Sequence, residues 1–183
     1  MRKVIAAINM TLDGYCDHTA VTPDEEVHQH YKNLLLQADT ILYGRITYQL
    51  MEFWRDLVEN PSGETAMDEF AKVMNSTSKI VFSSSLKELN WHSASIAQQE
   101  LANEVITLKK QNGKNIFVGS RSLINQLINL QLLDELQIMV HPLIAGKGLP
   151  LFEKLNGSKI LLLENTKTFN CGAIILYYKF LNE

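Results

Sequence analysis

Short apolar runs alternate along this chain with segments whose apolar residues recur every three or four positions, and the alternation divides it into strands and helices. The first run, Lys3 to Asn9, reads as a strand covered on both faces. A turn at Thr11-Leu12-Asp13-Gly14-Tyr15 leads to a helix capped by Thr22 with Pro23 at its first position, its inward stripe being Val27, Tyr31, Leu34 and Leu35. Strand two, Thr40 to Tyr43, precedes a helix with Ile46, Leu50, Phe53, Trp54 and Leu57 on one face, stopped at Asn60-Pro61-Ser62-Gly63. A shorter helix over Glu64 to Met74 leads to strand three, Lys79 to Phe82, and Trp91 is placed in or beside a short fourth strand. A helix from Ala97 to Gln111, with Leu101, Val105 and Leu108 inward, ends at Asn112-Gly113.

Strand five over Asn115 to Val118 is followed by a helix that turns Leu123, Ile124, Leu127, Ile128 and Leu130 inward. Next, Leu136, Ile138 and Val140 alternate with Gln137, Met139 and His141 in a sixth strand that Pro142 ends. The last two strands, Lys159 to Thr168 and Ala173 to Leu181, are joined by only Phe169-Asn170-Cys171-Gly172, which requires an antiparallel hairpin. The fold class is therefore α/β: a mixed sheet, mostly parallel with an antiparallel C-terminal hairpin, and helices on both faces. No repeat, low-complexity tract or composition break divides residues 1–183, which read as a single domain.

Composition alters this picture little. At 183 residues, 46% of them hydrophobic, the chain can bury a substantial core, roughly 70% of its unfolded surface. A formal net charge of -3 gives no general attraction to nucleic acid, and no nucleic-acid partner is expected. Cys16 and Cys171 make neither a disulfide framework nor a metal pattern, so both read as reduced and the compartment as cytoplasmic. The basic and apolar start, Met1 to Ile8, mimics a signal peptide, but Asn9 cuts the run short. No stretch approaches the ~20 apolar residues of a membrane span, and no membrane partner is expected. The Asn-X-Ser/Thr matches at Asn75 and Asn156 then read as chance.

Two strand-to-helix junctions carry the candidate chemistry. Thr40-Ile41-Leu42-Tyr43-Gly44-Arg45-Ile46-Thr47 and Asn115-Ile116-Phe117-Val118-Gly119-Ser120-Arg121-Ser122-Leu123 each place a glycine and free helix N–H groups at the carboxyl end of a strand. Hydrogen bonding and the helix dipole favour a phosphate there, and two such cradles suit a ligand with two phosphate groups. Arg45 offers a permanently charged fork for one phosphate, and Ser83 and Ser84 add hydroxyls at the end of strand three. Neither junction has the G-x-G-x-x-G spacing of a classical dinucleotide fold. Ala145-Gly146-Lys147-Gly148 lacks P-loop spacing, and no G-x-S-x-G elbow is present. Asp13, just after strand one at the same edge, is the carboxylate with the best placement for catalysis. The five histidines form no metal-ligand pattern, and no metal is expected.

In their order and spacing Ile5-Ala6-Ala7, Leu12-Asp13-Gly14, Tyr43-Gly44-Arg45-Ile46-Thr47-Tyr48, Lys79-Ile80-Val81-Phe82-Ser83, Phe117-Val118-Gly119-Ser120 and Pro142 to Phe152 resemble dihydrofolate-reductase-like proteins. Within these the chain is similar to the branch related to the C-terminal reductase domain of the bacterial riboflavin-biosynthesis deaminase/reductase. The resemblance implies a dihydrofolate-reductase-like fold, NADPH as hydride donor, a small-molecule substrate and a homodimer. It implies that the backbone of Ala7 approaches the nicotinamide, and that Gly44, Arg45 and Thr47 hold the 2′-phosphate side and the pyrophosphate. Ser83 and Ser84 then lie by the adenosine, and Gly119, Ser120, Arg121, Leu123 and Ile124 form the second cradle. Asp13 falls in the substrate region, although Tyr15 stands where that branch often has a lysine or arginine. The tryptophan that true dihydrofolate reductases carry after strand one is absent, and so is any deaminase domain with its zinc ligands. The expectation is a free-standing reductase of a heterocyclic or carbonyl compound. The alternatives are a 5-amino-6-(5-phosphoribosylamino)uracil reductase and a nucleotide-binding dimeric module without turnover.

Overall fold

The computed structural model describes residues 1–17 and 23–181. In chain order the elements are β1 (Val4–Thr11), α1 (Glu25–Leu36), β2 (Ala38–Gly44), α2 (Arg45–Glu59), α3 (Thr65–Ser76), β3 (Ser78–Phe82), β4 (Ala94–Ile96), α4 (Leu101–Lys110), β5 (Asn115–Val118), α5 (Arg121–Asn129), β6 (Glu135–His141), β7 (Leu161–Thr168) and β8 (Ile174–Phe180). The strands form a sheet of order β4-β3-β2-β5-β1-β6-β8-β7. All pairs are parallel from β4 through to β6, and β8 runs antiparallel to both β6 and β7. The mixed sheet and its terminal hairpin thus follow the reading of the sequence.

Alternation along each strand sends neighbouring side chains to opposite layers. Val4 and Ala6 of β1 pack with Leu42, Ile116, Val118, Leu136 and Ile138 beneath Leu101, Val105 and Leu108 of α4 and Leu123, Ile124, Leu127 and Ile128 of α5. Ile5 and Ala7 face the other way, with Ile41, Tyr43, Val81 and Phe117, against Leu34 and Leu35 of α1, Tyr48 of α2, and Phe70 and Met74 of α3. A smaller cluster ties α1 to the hairpin through Val27, Met139, Phe169, Ala173 and Ile175. Lys79 is buried within β3. Its ammonium donates to the carbonyls of Met74 and Thr77 and to Ser93 Oγ, and it sits 3.9 Å over the Trp91 ring. These contacts replace the water that burial removes.

Several sequence expectations are corrected. α1 is capped by Asp24, whose carboxylate accepts from Val27 N, so Pro23 precedes the helix; Thr22 lies outside the described residues. α2 packs through the expected Trp54 together with Tyr48 and Met51, which leaves Ile46 and Phe53 64% and 53% exposed, because the buried face is rotated from the stripe read from the sequence. Strand four follows the expectation: it is Ala94–Ile96 with Trp91 beside it, the indole donating to Asn75 Oδ1 at 2.6 Å. α4 begins at Leu101, so 97–100 is a loop rather than the helix's first turn. Leu130 follows the last turn of α5 and faces solvent.

Candidate functional site

Because β2 and β5 are direct parallel neighbours, their carboxyl ends bring the two glycine junctions side by side. They are also bonded together, since Gly44 N donates to Ser120 Oγ at 2.9 Å. Gly44 has an ordinary extended φ of -81°, so its glycine character serves space: a Cβ there would lie 3.3 Å from Ser122 Oγ. A Cβ on Gly119 would meet the Phe117 ring at 3.4 Å and the Ala7 carbonyl oxygen at 3.9 Å, which sets the backbone of β1 against the second junction.

A cleft of about 720 Å³ opens over this edge. Gly44, Arg45 and Thr47 line it from the first junction, Ser83 and Ser84 from the end of β3, and Ser122 and Leu123 from α5. Its far wall is the loop 97–100, with Gln98, Gln99 and Glu100, leading into α4. Three helices therefore direct their N-termini to one cleft. In α2, α4 and α5 no side chain caps the first turn, as is also the case in α3 away from the cleft, whereas α1 is capped by Asp24. Uncapped first-turn N–H groups, with the positive ends of three helix dipoles, favour an anionic ligand.

The predicted residues divide by location. Gly44, Arg45, Thr47, Ser83, Ser84 and Leu123 face the cleft together. Arg45 is exposed and, among the described residues, its guanidinium donates only to Gln49 Oε1, at 3.3 Å, so its charge is available. Ser83 Oγ accepts from the backbone N–H groups of Ser85 and Leu86, which shapes the turn after β3. Ser120 is fully buried and committed to Gly44, Ile124 is core, and Ala7 is buried beneath the junction. Arg121 reaches away to the Pro150 carbonyl at 3.0 Å and Glu153 Oε2 at 2.8 Å. The sequence reading missed Gln98, Gln99, Glu100, Ser122 and Gln126. Its one available signal was the polar run straight after the fourth strand, which a helix from Ala97 had absorbed.

Asp13 lies at the carboxyl end of β1, where Gly14 turns the chain at φ +91°. Its carboxylate accepts from Thr11 Oγ1 at 2.6 Å, Gly146 N at 2.7 Å and Ala145 N at 3.1 Å, and so pins the loop 143–146. The Thr11 hydroxyl and these N–H groups hold its pKa down to about 2. Beside it an isolated bridge pairs Tyr15 with Pro150. On the α1 side of the same edge, Asn9, Tyr31 and His141 form a hydrogen-bonded group. Among the described residues no three His, Cys, Asp or Glu side chains gather as a metal site.

Comparison with known proteins places this architecture. The RibD C-terminal domain family matches residues 2–177. The uncharacterized protein YyaP of Bacillus subtilis strain 168 is 34% identical over 185 residues, which cover 97% of this chain and 94% of that protein. Among solved structures, a protein provisionally assigned to riboflavin biosynthesis in Shewanella sp. PV-4 superposes with a TM-score of 0.74 at 18% identity, covering 98% of this chain and 99% of that one. A pyrimidine reductase-like protein of Corynebacterium diphtheriae gives 0.68 at 15% identity, covering 100% of this chain and 93% of that one. At these identities the two structures bear on the fold.

Proposed function

The chain belongs to the RibD C-terminal domain family, a reductase-like family of the riboflavin pathway, and from that premise we propose that it is an NADPH-dependent reductase of a small heterocyclic or carbonyl substrate. The observation that carries the reading is the convergence of three uncapped helix N-termini and the Arg45 guanidinium on one cleft. A ligand with two or three phosphates matches that donor set.

When bound, NADPH supplies hydride from its nicotinamide. The chain's own part is positioning. Thr47 and the first turn of α2 hold phosphate where Gly44 presents no side chain, Arg45 pairs with the 2′-phosphate, and Ser83 and Ser84 border the adenosine. The start of α5 at Ser122 and Leu123 forms the second cradle, Gly119 and the buried Ser120 and Ile124 support it from beneath, Arg121 ties it to the 150–153 loop, and the Ala7 backbone borders the nicotinamide. Asp13, ionised and saturated with donors, fixes the loop over the substrate region. Near-attack geometry and exclusion of water then account for the acceleration. Family membership favours a second, narrower reading, reduction of 5-amino-6-(5-phosphoribosylamino)uracil.

The reading includes a cytoplasmic location, where both free cysteines stay reduced. Among the described residues no helix is long and apolar enough to cross a membrane. It also includes a homodimer. The occupant suited to the apolar side of the terminal hairpin, where Leu163 and Ile174 are exposed, is the same face of a second copy, because sheets pack on sheets.

NADPH titration followed by nicotinamide fluorescence tests the proposal. A saturable change, with oxidation in the presence of the aminouracil or a carbonyl panel, is expected. No change at any concentration would sink the cofactor reading, and saturable binding without oxidation would leave a nucleotide-binding module.

A further inference from the structure

Under α1, at the carboxyl ends of β1 and β6, one acceptor gathers two donors. Asn9 Oδ1 accepts from Tyr31 Oη at 3.0 Å and lies 3.0 Å from His141 Nε2. A carboxamide oxygen has no proton to give, so Nε2 carries the hydrogen and Nδ1 is the nitrogen that titrates. The imidazole is thereby held in one tautomer and one orientation, as a proton-transfer group requires.

Its position follows from register. Asn9 is the next residue after Ala7 on the same face of β1, and Gln137, the register partner of Ala7, shares a face of β6 with His141. Gln137 is 6% exposed, yet its Oε1 has no hydrogen-bond partner among the described residues, so an unmet acceptor lies in this layer beside Ala7. Three neighbouring titratable groups are unsuited to giving a proton. Asp13 is saturated with donors and held down to about 2, the Tyr31 phenol is pushed far up by burial, and burial also raises the Cys16 thiol. Facing His141 from α1 are Tyr31 and the N-cap Asp24; burial, the larger effect, holds the imidazole pKa below its ordinary value and the Asp24 charge offsets only part of this, so the imidazolium gives up its proton readily.

Resting on the NADPH-reductase reading, we propose that His141 is the proton donor of the reduction, held for that role by Asn9 and Tyr31. Hydride from the reduced nicotinamide adds to the carbon of a C=N or C=O bond, and the cofactor leaves oxidised. The π pair of that bond takes the proton from His141 Nδ1 as the new N–H or O–H forms, and the neutral imidazole recovers a proton from solvent. The substrate class is thus one with a basic nitrogen or oxygen next to the carbon that is reduced.

Imidazole 1H–15N NMR titrations of the chain alone, with NADPH and with NADP+ test this without a substrate. The expected neutral form is the Nε2–H tautomer, lost in Asn9→Leu. The His141 midpoint should lie about one pH unit lower with NADP+ than with NADPH, because only the oxidised ring places a positive charge beside it. Backbone shifts at Gly44 and Ser122 report cofactor binding separately. Saturable shifts there with one identical His141 midpoint in both redox forms, or a neutral Nδ1–H tautomer, would overturn the role of His141 and leave the cofactor reading standing. An absence of shifts with either form would overturn the cofactor reading and this proposal with it.

Discussion

Arg45 and Asp13 both border the carboxyl edge, and their surroundings give them different work. The Arg45 side chain is exposed and holds only a long contact to Gln49, so it can turn its fork to a phosphate. Arg45→Ala should weaken NADPH by about tenfold or more, the order of a charge-assisted hydrogen bond, and change NADH far less. Parallel fluorescence titrations check this, and equal losses for the two cofactors would show that Arg45 does not read the 2′-phosphate. Asp13 is instead fully engaged by Thr11, Ala145 and Gly146. Its folded pKa, about 2, lies below the ordinary 3.8, so its contribution is present above 3.8 and is lost as pH falls through 2. Asp13→Asn should therefore be less stable than the parent in denaturant titrations at neutral pH and match it near pH 2. The amides of Ala145 and Gly146 should exchange faster with deuterium in the variant. Both residues were named from sequence, since the turn at Gly14 and the charge after Gly44 are local signals. That Asp13 is a loop anchor was not legible, because its partners Ala145 and Gly146 lie more than 130 positions away.

Between elements, the contact that matters most for the site is the one joining β2 to the start of α5. Ser120 begins α5 without capping it, and its hydroxyl accepts the Gly44 N–H within the fully buried seam. Ser120→Ala would strand that N–H and should cost about 1–3 kcal/mol in urea denaturation, with weaker NADPH binding as the junctions separate. Ser120→Thr, which keeps the hydroxyl, should restore part of both. The sequence marked the two junctions as equivalent phosphate cradles, and their bond to each other depends on β5 inserting between β2 and β1. The same non-local reason accounts for α2. Its apolar residues are visible in the sequence, but the layer it packs on keeps Trp54 of the stripe, adds Tyr48 and Met51, and leaves Ile46 and Phe53 in solvent.

At the scale of the whole molecule, the terminal hairpin leaves apolar surface on one side of the sheet. Leu163 and Ile174 stand on the face that also carries Tyr178 and Phe180, and they are 48% and 42% exposed. The irregular register between Leu163 and Asn165, with Glu164 and Lys167, blunts the β7 edge, so a second copy fits the face better than the edge. Light scattering should give a dimer mass for the parent and a monomer mass for Leu163→Lys, and an unchanged dimer in the variant would exclude this face. By itself the sequence determined the order of helices and strands, the antiparallel hairpin, and Gly44, Arg45 and the two serines Ser83 and Ser84 that face the cleft. Those features are written in periodicity and turn chemistry over a few residues. Tertiary structure alone decided that α4 completes the cleft, that the two junctions touch, and that Asn9 meets His141 across 132 positions. Strand order is set by which surfaces the whole chain can bury together, and no local pattern encodes that choice.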